Sequence, residues 1–516
     1  MKNAVLRGSV ILVIAGILGK LLGAFFRIPL SNILGAEGIG IYQMIFPIFS
    51  LALIICSGGV SYTLSHIISQ IRASKNGNIK KEFFKGFFYS LTTSSVFAFL
   101  FFMLSGRLAE IQGNAFATLG YKLVGIALIF ASLLACFRGL YQGYQNMLPT
   151  ALSQTIEQLF KVVFGLGFSY FFRAEGIEMQ VAVAFLGIGI AEILAFVYLI
   201  LRSKKFNFET FPEQTFSSRF YLTNFSITLG FLIIPILTCF DSFVVVNILK
   251  KYFTAQVATS LYGLQSGLVN SLINFPVVIS IAISLALLPN LTYSISENNK
   301  QNAQKTIEKV FAILFFVLAP CIIILYFFAE EIMALLYPSI SQEMLEVSVM
   351  LLKISAPQIL FISFLQISIT VFQSLDKPAI SIYVLLLSGV FKVISTLLFV
   401  NNPGFNIAGL ALSNFVFYAI AAIIALIIVK KNIPFNLPQK QLKFMAVVFP
   451  AFALGCLLIN VCFVGLMAKI TLLFLLGLFG YLLPILKFDI LNINSLLKEK
   501  LTRRKINEQK RVSERN

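Results

Sequence analysis

Long apolar runs alternate with short polar breaks from one end of the chain to the other. A helix needs ~20 apolar residues to cross a bilayer, and about 14 such runs recur here. They fall near 8–30, 39–69, 83–105, 115–142, 147–172, 179–201, 221–249, 258–289, 308–329, 345–373, 378–400, 404–429, 444–465 and 468–487. The polar breaks are too short for a soluble domain; the longest are 202–220, 290–309 and the tail from Leu491. The pattern predicts an all-α polytopic membrane protein, because helices satisfy their own backbone groups in lipid. The first run follows Lys2 and Arg7 as in a secretory leader, but it lacks a small-residue cleavage site. Its apolar pattern continues to Leu30, so it reads as a retained span.

A weak internal repeat divides the chain. Phe160-Lys161-Val162 in the fifth span recurs as Phe391-Lys392-Val393 in the eleventh. Phe46-Pro47 in the second recurs as Phe275-Pro276 in the eighth. Tyr141-Gln142-Gly143 before Pro149 recurs as Phe372-Gln373-Ser374 before Pro378. The common offset predicts two pseudo-symmetric six-helix lobes with a cavity between them, and two C-terminal helices outside the repeat. The expected organisation is an N-terminal lobe (1–202), a cytoplasmic linker (203–220), a C-terminal lobe (221–432), two extra helices (433–490) and a basic tail (491–516). The tail reads as disordered or amphipathic, or as a basic patch on anionic lipid.

Composition agrees with this picture. Hydrophobic residues are 58% of the 516, against roughly 45–50% in soluble domains. Trp is absent, so Tyr must supply any interfacial belt. The six cysteines (Cys56, Cys136, Cys239, Cys321, Cys456, Cys462) lie in apolar runs without metal-ligand spacing and read as small buried residues. The net charge is +19. With the N-terminus inside, ~28 Lys and Arg fall in inner segments and ~5 in outer ones, a positive-inside distribution. Arg72, Lys75, Lys80, Lys81 and Lys85 follow the second span; Arg202, Lys204, Lys205 and Arg219 follow the sixth; Lys430, Lys431, Lys440 and Lys443 follow the twelfth. Both termini are then cytoplasmic. The charge is mostly a topology device, and no basic folded face remains for nucleic acid.

Some charges stand inside the spans, where an ion costs ~2.5–3.5 kcal/mol even on the mild insertion scale. The cations are Lys20, Arg27, Lys122, Arg138, Lys161, Lys353 and Lys392; the acids are Glu157, Glu192 and Asp241. Lys20 and Arg27 share one helix face beside Gly16, Gly19 and Gly23. The glycines serve either close packing or a bending first helix, and the two cations either snorkel or face inward. Glu157 and Lys161 are spaced for a local ion pair, or Glu157 orients a cavity-facing Lys161. Lys392 has no acid at i±4 and must meet water, a partner helix or substrate. Arg138, Gln142 and Gln145 share a face beside the GxxxG of Gly139 and Gly143, and Arg138 also reads as an inner anchor. Asp241 is an ion or proton site, or the partner of a cation across the cavity. His66 is a hydrogen-bonded interface residue, or carries a substrate or proton role.

Arg27-Ile28-Pro29-Leu30, the run from Leu34-Gly35-Ala36-Glu37-Gly38 to Tyr42-Gln43-Met44, and Arg138-Gly139-Leu140-Tyr141-Gln142-Gly143 followed by Asn146 to Gln158 resemble the stage V sporulation protein B family. That family belongs to the multidrug/oligosaccharidyl-lipid/polysaccharide exporter superfamily, alongside lipid II flippases. The resemblance implies a V-shaped pair of lobes with alternating access and a polyprenyl-pyrophosphate-linked saccharide as cargo, lipid II leading. It implies two extra helices that shape a groove for the polyprenyl tail, and places Lys20, Arg27 and Lys161 where relatives often carry cations. It departs at Ser61 and His66, where the family commonly has Pro and Lys.

The expectation from residues and resemblance together is a flippase whose cavity cations Lys20, Arg27, Arg138, Lys161 and Lys392 bind phosphate or balance its charge. Glu157, Asp241, His66, Gln142 and Glu192 support them or couple ions. No cofactor or metal is expected; membrane potential, H⁺ or Na⁺ is the expected drive. Bilayer lipids and cell-wall or polysaccharide synthesis enzymes are the expected partners of a monomer. A drug exporter of the same fold would favour cavity acids, whereas the first span offers Lys20 and Arg27. A membrane glycosyltransferase would need carboxylates at a sizeable outer loop, and the adjacent pair Glu330-Glu331 reads as a helix end near water.

Overall fold

The first helical run, Lys2–Leu53, is two helices joined at Gly35, whose φ of 69° and ψ of −175° only glycine adopts readily. The computed structural model describes residues 2–203, 208–209, 211–212, 220–297, 299–436, 439–461 and 465–482. The side chains at 2–14, 17, 20, 24, 285, 289–290, 439–442 and 466–467 are also outside the description. The side chain of Lys20, Cys462, most of the expected linker and the tail from Leu491 therefore lie outside the described residues.

The break at Gly35 separates α1 (2–34) from α2 (36–74). Then come α3 (Ile79–Gln112), α4 (Ala115–Gly143), α5 (147–171), α6 (Ile177–Ser203), α7 (Phe220–Leu249) and α8 (Ala255–Ser296). The second half continues with α9 (Lys300–Phe327), α10 (Gln342–Ser355 and Gln358–Ser374, bent by 43°), α11 (Ala379–Val400), α12 (Ala408–Asn432), α13 (Gln439–Val461) and α14 (466–482). Ten helical stretches among the described residues are long and apolar enough to cross a bilayer, eleven with bent α10 counted once. The first of these is α1 and α2 together. The more polar α5, with Gln154, Glu157, Gln158 and Lys161, and the short α14 complete the set.

Polar residues in the breaks are helix caps. Asn78 accepts from Lys81 N, Thr254 from Val257 N and Asn299 from Asn302 N. Asn299 explains one departure from the sequence pattern: the polar break expected at 290–309 is mostly helix, since α8 runs to Ser296 and α9 starts at Lys300. A short helix, Ala329–Leu336, likewise fills the break before α10.

The two lobes repeat one packing scheme. In the first, α1 lies on α5, α2 on α4, α3 on α4, α4 on α6 and α5 on α6; in the second, α7 lies on α11, α8 on α10, α9 on α10, α10 on α12 and α11 on α12. The last two helices sit on α9, where Phe316 and Phe328 meet Met445, Phe452, Cys456 and Tyr481. Large apolar side chains such as Phe99, Phe102, Leu386 and Leu398 are exposed on α3 and α11, as lipid-facing surfaces require.

The lobes meet tightly at the sparsely charged end. A Cβ at Gly40 of α2 would collide with the Thr259 carbonyl of α8, and one at Gly263 would stand 2.5 Å from the Ala36 carbonyl oxygen. Gln256 donates to Glu37 (2.8 Å), Asn114 to Thr259 (3.0 Å) and Gln112 to Ser242 (3.1 Å) across the same seam. Gly139 and Gly143 also serve close packing, each pressed on α2 with Cβ clearances of 2.7 Å. The α1 stripe differs: Gly19 and Gly23 leave ordinary room against Gln158, and Gly16 meets nothing within 4 Å among the described residues. No close approach among the described residues demands glycine at those three positions.

Candidate functional site

Between the lobes lies a cavity of about 280 Å³. Its first wall comes from α1 and α2 and carries Arg27, Gln43, Phe46 and Ser50. Its second wall comes from the other lobe: Thr238 and Asp241 of α7, Tyr262, Ser266, Asn270 and Asn274 of α8, Gln358 of α10, Lys392 of α11, and Asn414 and Tyr418 of α12. A wide π turn at 264–269 carries Ser266 into this wall, a distortion that often marks a functional site.

Lys392 donates to Asp241 Oδ2 and ties α11 to α7. Both side chains are nearly sealed, at 4% and 8% exposure. Of the two readings of Asp241, the geometry matches the cation partner. The acid that Lys392 lacks on its own helix is supplied from α7. The pair is neutral as a unit, so Arg27 is the cavity cation with no carboxylate partner among the described residues. Its guanidinium lies 5.4 Å from the centroid of the Phe46 ring, a cation–π contact.

A second polar cluster sits inside the first lobe, between α4, α5 and α6. Arg138 bonds Glu157 Oε2 at 2.7 Å and Ser153 Oγ at 3.0 Å, and Gln158 donates to Glu157 Oε1 at 2.8 Å. The local Glu157–Lys161 pair is not formed. Arg138 and Gln158 take both carboxylate oxygens, and Lys161 turns to α1, 5.0 Å over the Phe26 ring. Glu192 is buried here, with Oε2 lacking a partner among the described residues. Arg138, Lys161, Glu157 and Glu192 are thus together, but none lines the cavity. Gln142 is half-buried at the end of α4, outside the cavity wall. His66 is exposed on α2, stacked on Tyr62 at 6.4 Å and 3.5 Å from Gln70. Of the expected site residues with described side chains, the cavity brings together Arg27, Asp241 and Lys392.

The neutral part of the wall was not anticipated. Tyr262, Ser266, Asn270 and Asn274 recur at every fourth position through an apolar run, a one-face polar stripe that the sequence does display. Gln43 and Gln358 stand singly and gave no such signal. Three buried atoms in the cavity-lining residues lack partners among the described residues: Gln43 Nε2, Gln358 Nε2 and Asp241 Oδ1. Orphaned buried polar atoms are uncommon and mark a place for water or ligand.

Two lobes of six helices, a closed seam and a polar cavity between them define a multi-pass membrane protein of the multidrug/oligosaccharidyl-lipid/polysaccharide exporter superfamily. The fold overlays lipid II flippase MurJ in an inward closed conformation with a TM-score of 0.70 at 14% identity, over 92% of this chain and 99% of that one. It overlays an inward-facing multidrug resistance MATE family transporter with a TM-score of 0.68 at 15% identity, over 80% and 94%. The chain belongs to the polysaccharide biosynthesis protein family, whose model matches residues 5–295; the MatE model matches 227–398. Stage V sporulation protein B of Bacillus subtilis (strain 168) is 30% identical over 206 residues, 39% of each chain. Lipid II flippase MurJ of the same organism is 27% identical over 180 residues, 33% of each chain. The chain thus matches between a third and two fifths of the length of these curated relatives. The resemblance read from Arg27–Leu30 and Arg138–Gly143 is borne out at the family level.

Proposed function

We propose that the protein is a transporter and not an enzyme. It moves an anionic polyprenyl-pyrophosphate-linked sugar precursor from the inner to the outer leaflet, with peptidoglycan lipid II the leading cargo. The observation that carries this reading is Arg27, a guanidinium without a counter-charge among the described residues, on the wall of a cavity closed at one end by the Gly40–Gly263 seam. A pyrophosphate cannot enter hydrocarbon unaided, and a guanidinium replaces part of its hydration with charge-assisted hydrogen bonds. The flippase relatives and the shared fold support it. Lobe rocking that parts the seam would present the cavity to alternate faces.

On the positive-inside rule the basic end, with Arg72, Lys75, Lys430 and Lys431, faces the cytoplasm in this reading, and the seam then closes the outer side. Membrane potential is the natural drive, since a charged carrier gains ~2.3 kcal/mol per charge per 100 mV. The MATE-like fold raises a cation-coupled drug exporter as the second reading. Against it, the cavity acid Asp241 is already held by Lys392. Depletion in the cell separates the two. Accumulation of a polyprenyl-diphosphate saccharide on the inner leaflet is the expected result. Altered drug sensitivity with no lipid-linked precursor accumulating would contradict it.

A further inference from the structure

The two walls of the cavity differ in their hydrogen-bonding sense. This inference rests on the reading above and names what the second wall is for. The first wall offers donors: the Arg27 guanidinium and the buried Gln43 Nε2, neither with a side-chain acceptor among the described residues. Phosphate oxygens only accept, so that wall matches them. The second wall has no net charge, because Lys392 and Asp241 cancel. It holds one orphaned donor, Gln358 Nε2, and one orphaned acceptor, Asp241 Oδ1, on residues 1% and 6% exposed.

A carboxylate oxygen there repels phosphate. A hydroxyl both donates and accepts, so hydroxyls satisfy both orphans: one donates to Asp241 Oδ1, another accepts from Gln358 Nε2. Ser266, Asn270, Asn414 and Tyr418 add neutral donors and acceptors around them. We propose that the cavity is a two-part site: Arg27 and Gln43 hold the phosphate, and the Asp241–Gln358 wall reads the hydroxyl- and amide-bearing sugar next to it. Lys392 is then a positioning residue that fixes Asp241 and cancels its charge. The consequence is a preference for the sugar-loaded carrier lipid over the same lipid without its sugar. A spent carrier would fill only the first wall and leave the second wall's orphans unmet.

The test uses the full chain in phosphatidylglycerol nanodiscs, with polyprenyl diphosphate and polyprenyl diphosphate N-acetylglucosamine as probes, each titrated by native mass spectrometry. The unsubstituted protein should bind the sugar-bearing lipid about tenfold more tightly, the scale of one or two buried polar groups satisfied. Gln358→Leu should shrink that ratio to about twofold or less by removing one of those groups. Arg27→Gln should weaken both lipids together and keep the ratio. Equal binding of the two lipids, or a Gln358→Leu protein that keeps the full ratio, overturns the two-part site. Should Gln358→Leu fail to fold, Asn270→Ala carries the same comparison. Binding of neither probe above the phosphatidylglycerol background would instead overturn the lipid-linked reading beneath it.

Discussion

Arg138–Glu157 and Lys392–Asp241 are both ion pairs between neighbouring helices, one in each lobe, but their surroundings differ. The first is 2.7 Å long and 16% and 17% exposed, and Ser153 and Gln158 complete its hydrogen bonding. It is a strut between α4 and α5 in which both carboxylate oxygens are taken. The second is sealed to 4% and 8%, lines the cavity, and leaves Asp241 Oδ1 unmet. The difference teaches that a charge inside a span is not by itself a charge offered to a ligand. The strut spends both of its charges on structure. The cavity pair cancels its charge but keeps hydrogen-bonding capacity.

The largest expected effect comes from breaking the sealed pair. Asp241→Ala strands the Lys392 ammonium and should cost about 3–5 kcal/mol of stability, read as denaturant or thermal unfolding in detergent. The double change Asp241→Leu with Lys392→Met should recover most of that loss, because no buried charge is left alone. If Asp241→Ala cost less than the matching change in the strut, the contrast between the pairs would be wrong. That change, Arg138→Ala, should cost about 1–3 kcal/mol, since the pair is more exposed and Gln158 still serves Glu157.

The seam sharpens the same contrast. Gly40→Ala should cost about 1–3 kcal/mol of lobe closure by overpacking against the Thr259 carbonyl. Thiol labelling of Ser266→Cys in the cavity should then speed up by roughly tenfold, the kinetic equivalent of 1.4 kcal/mol of opening. Ser153→Cys beside the strut should label at its former rate. Equal acceleration at both would mean that the strut also opens to the cavity. The smallest effect belongs to Arg72, whose pair with Glu209 is 34% and 41% exposed. Arg72→Ala should change stability by about 0–1 kcal/mol, and less at high salt.

Much of the fold was legible in the sequence because span length and lobe repetition are written in hydropathy. Gly35, Asn78 and Asn299 also mark boundaries by backbone chemistry that single residues carry. The polar break at 290–309 misled because a capped helix can run past the bilayer while staying polar. The site was legible in part. Arg27 lines the cavity, one of the two orientations that its spacing from Lys20 left open. Lys392 could not be distinguished from a free cation, because its partner lies 151 residues away and local spacing does not see it. The i,i+4 rule pointed Glu157 to Lys161, but tertiary packing brought Arg138 closer in from α4. The Tyr262–Asn274 stripe is readable in the sequence as polar residues at every fourth position, but it carries no charge to set it apart from ordinary helix-packing polarity.

On the proposed function, Arg27, and not the number of cations in the spans, makes this cavity a site for an anionic headgroup. Flipping of fluorescent lipid II in proteoliposomes tests it most directly, with Arg27→Gln compared against Arg138→Gln paired with Glu157→Gln. The expected result is a loss of about tenfold or more for Arg27→Gln, in keeping with one lost charge-assisted contact, and near-normal flipping for the strut double variant once it folds. Unchanged flipping by Arg27→Gln, with loss confined to the strut variant, would contradict the account.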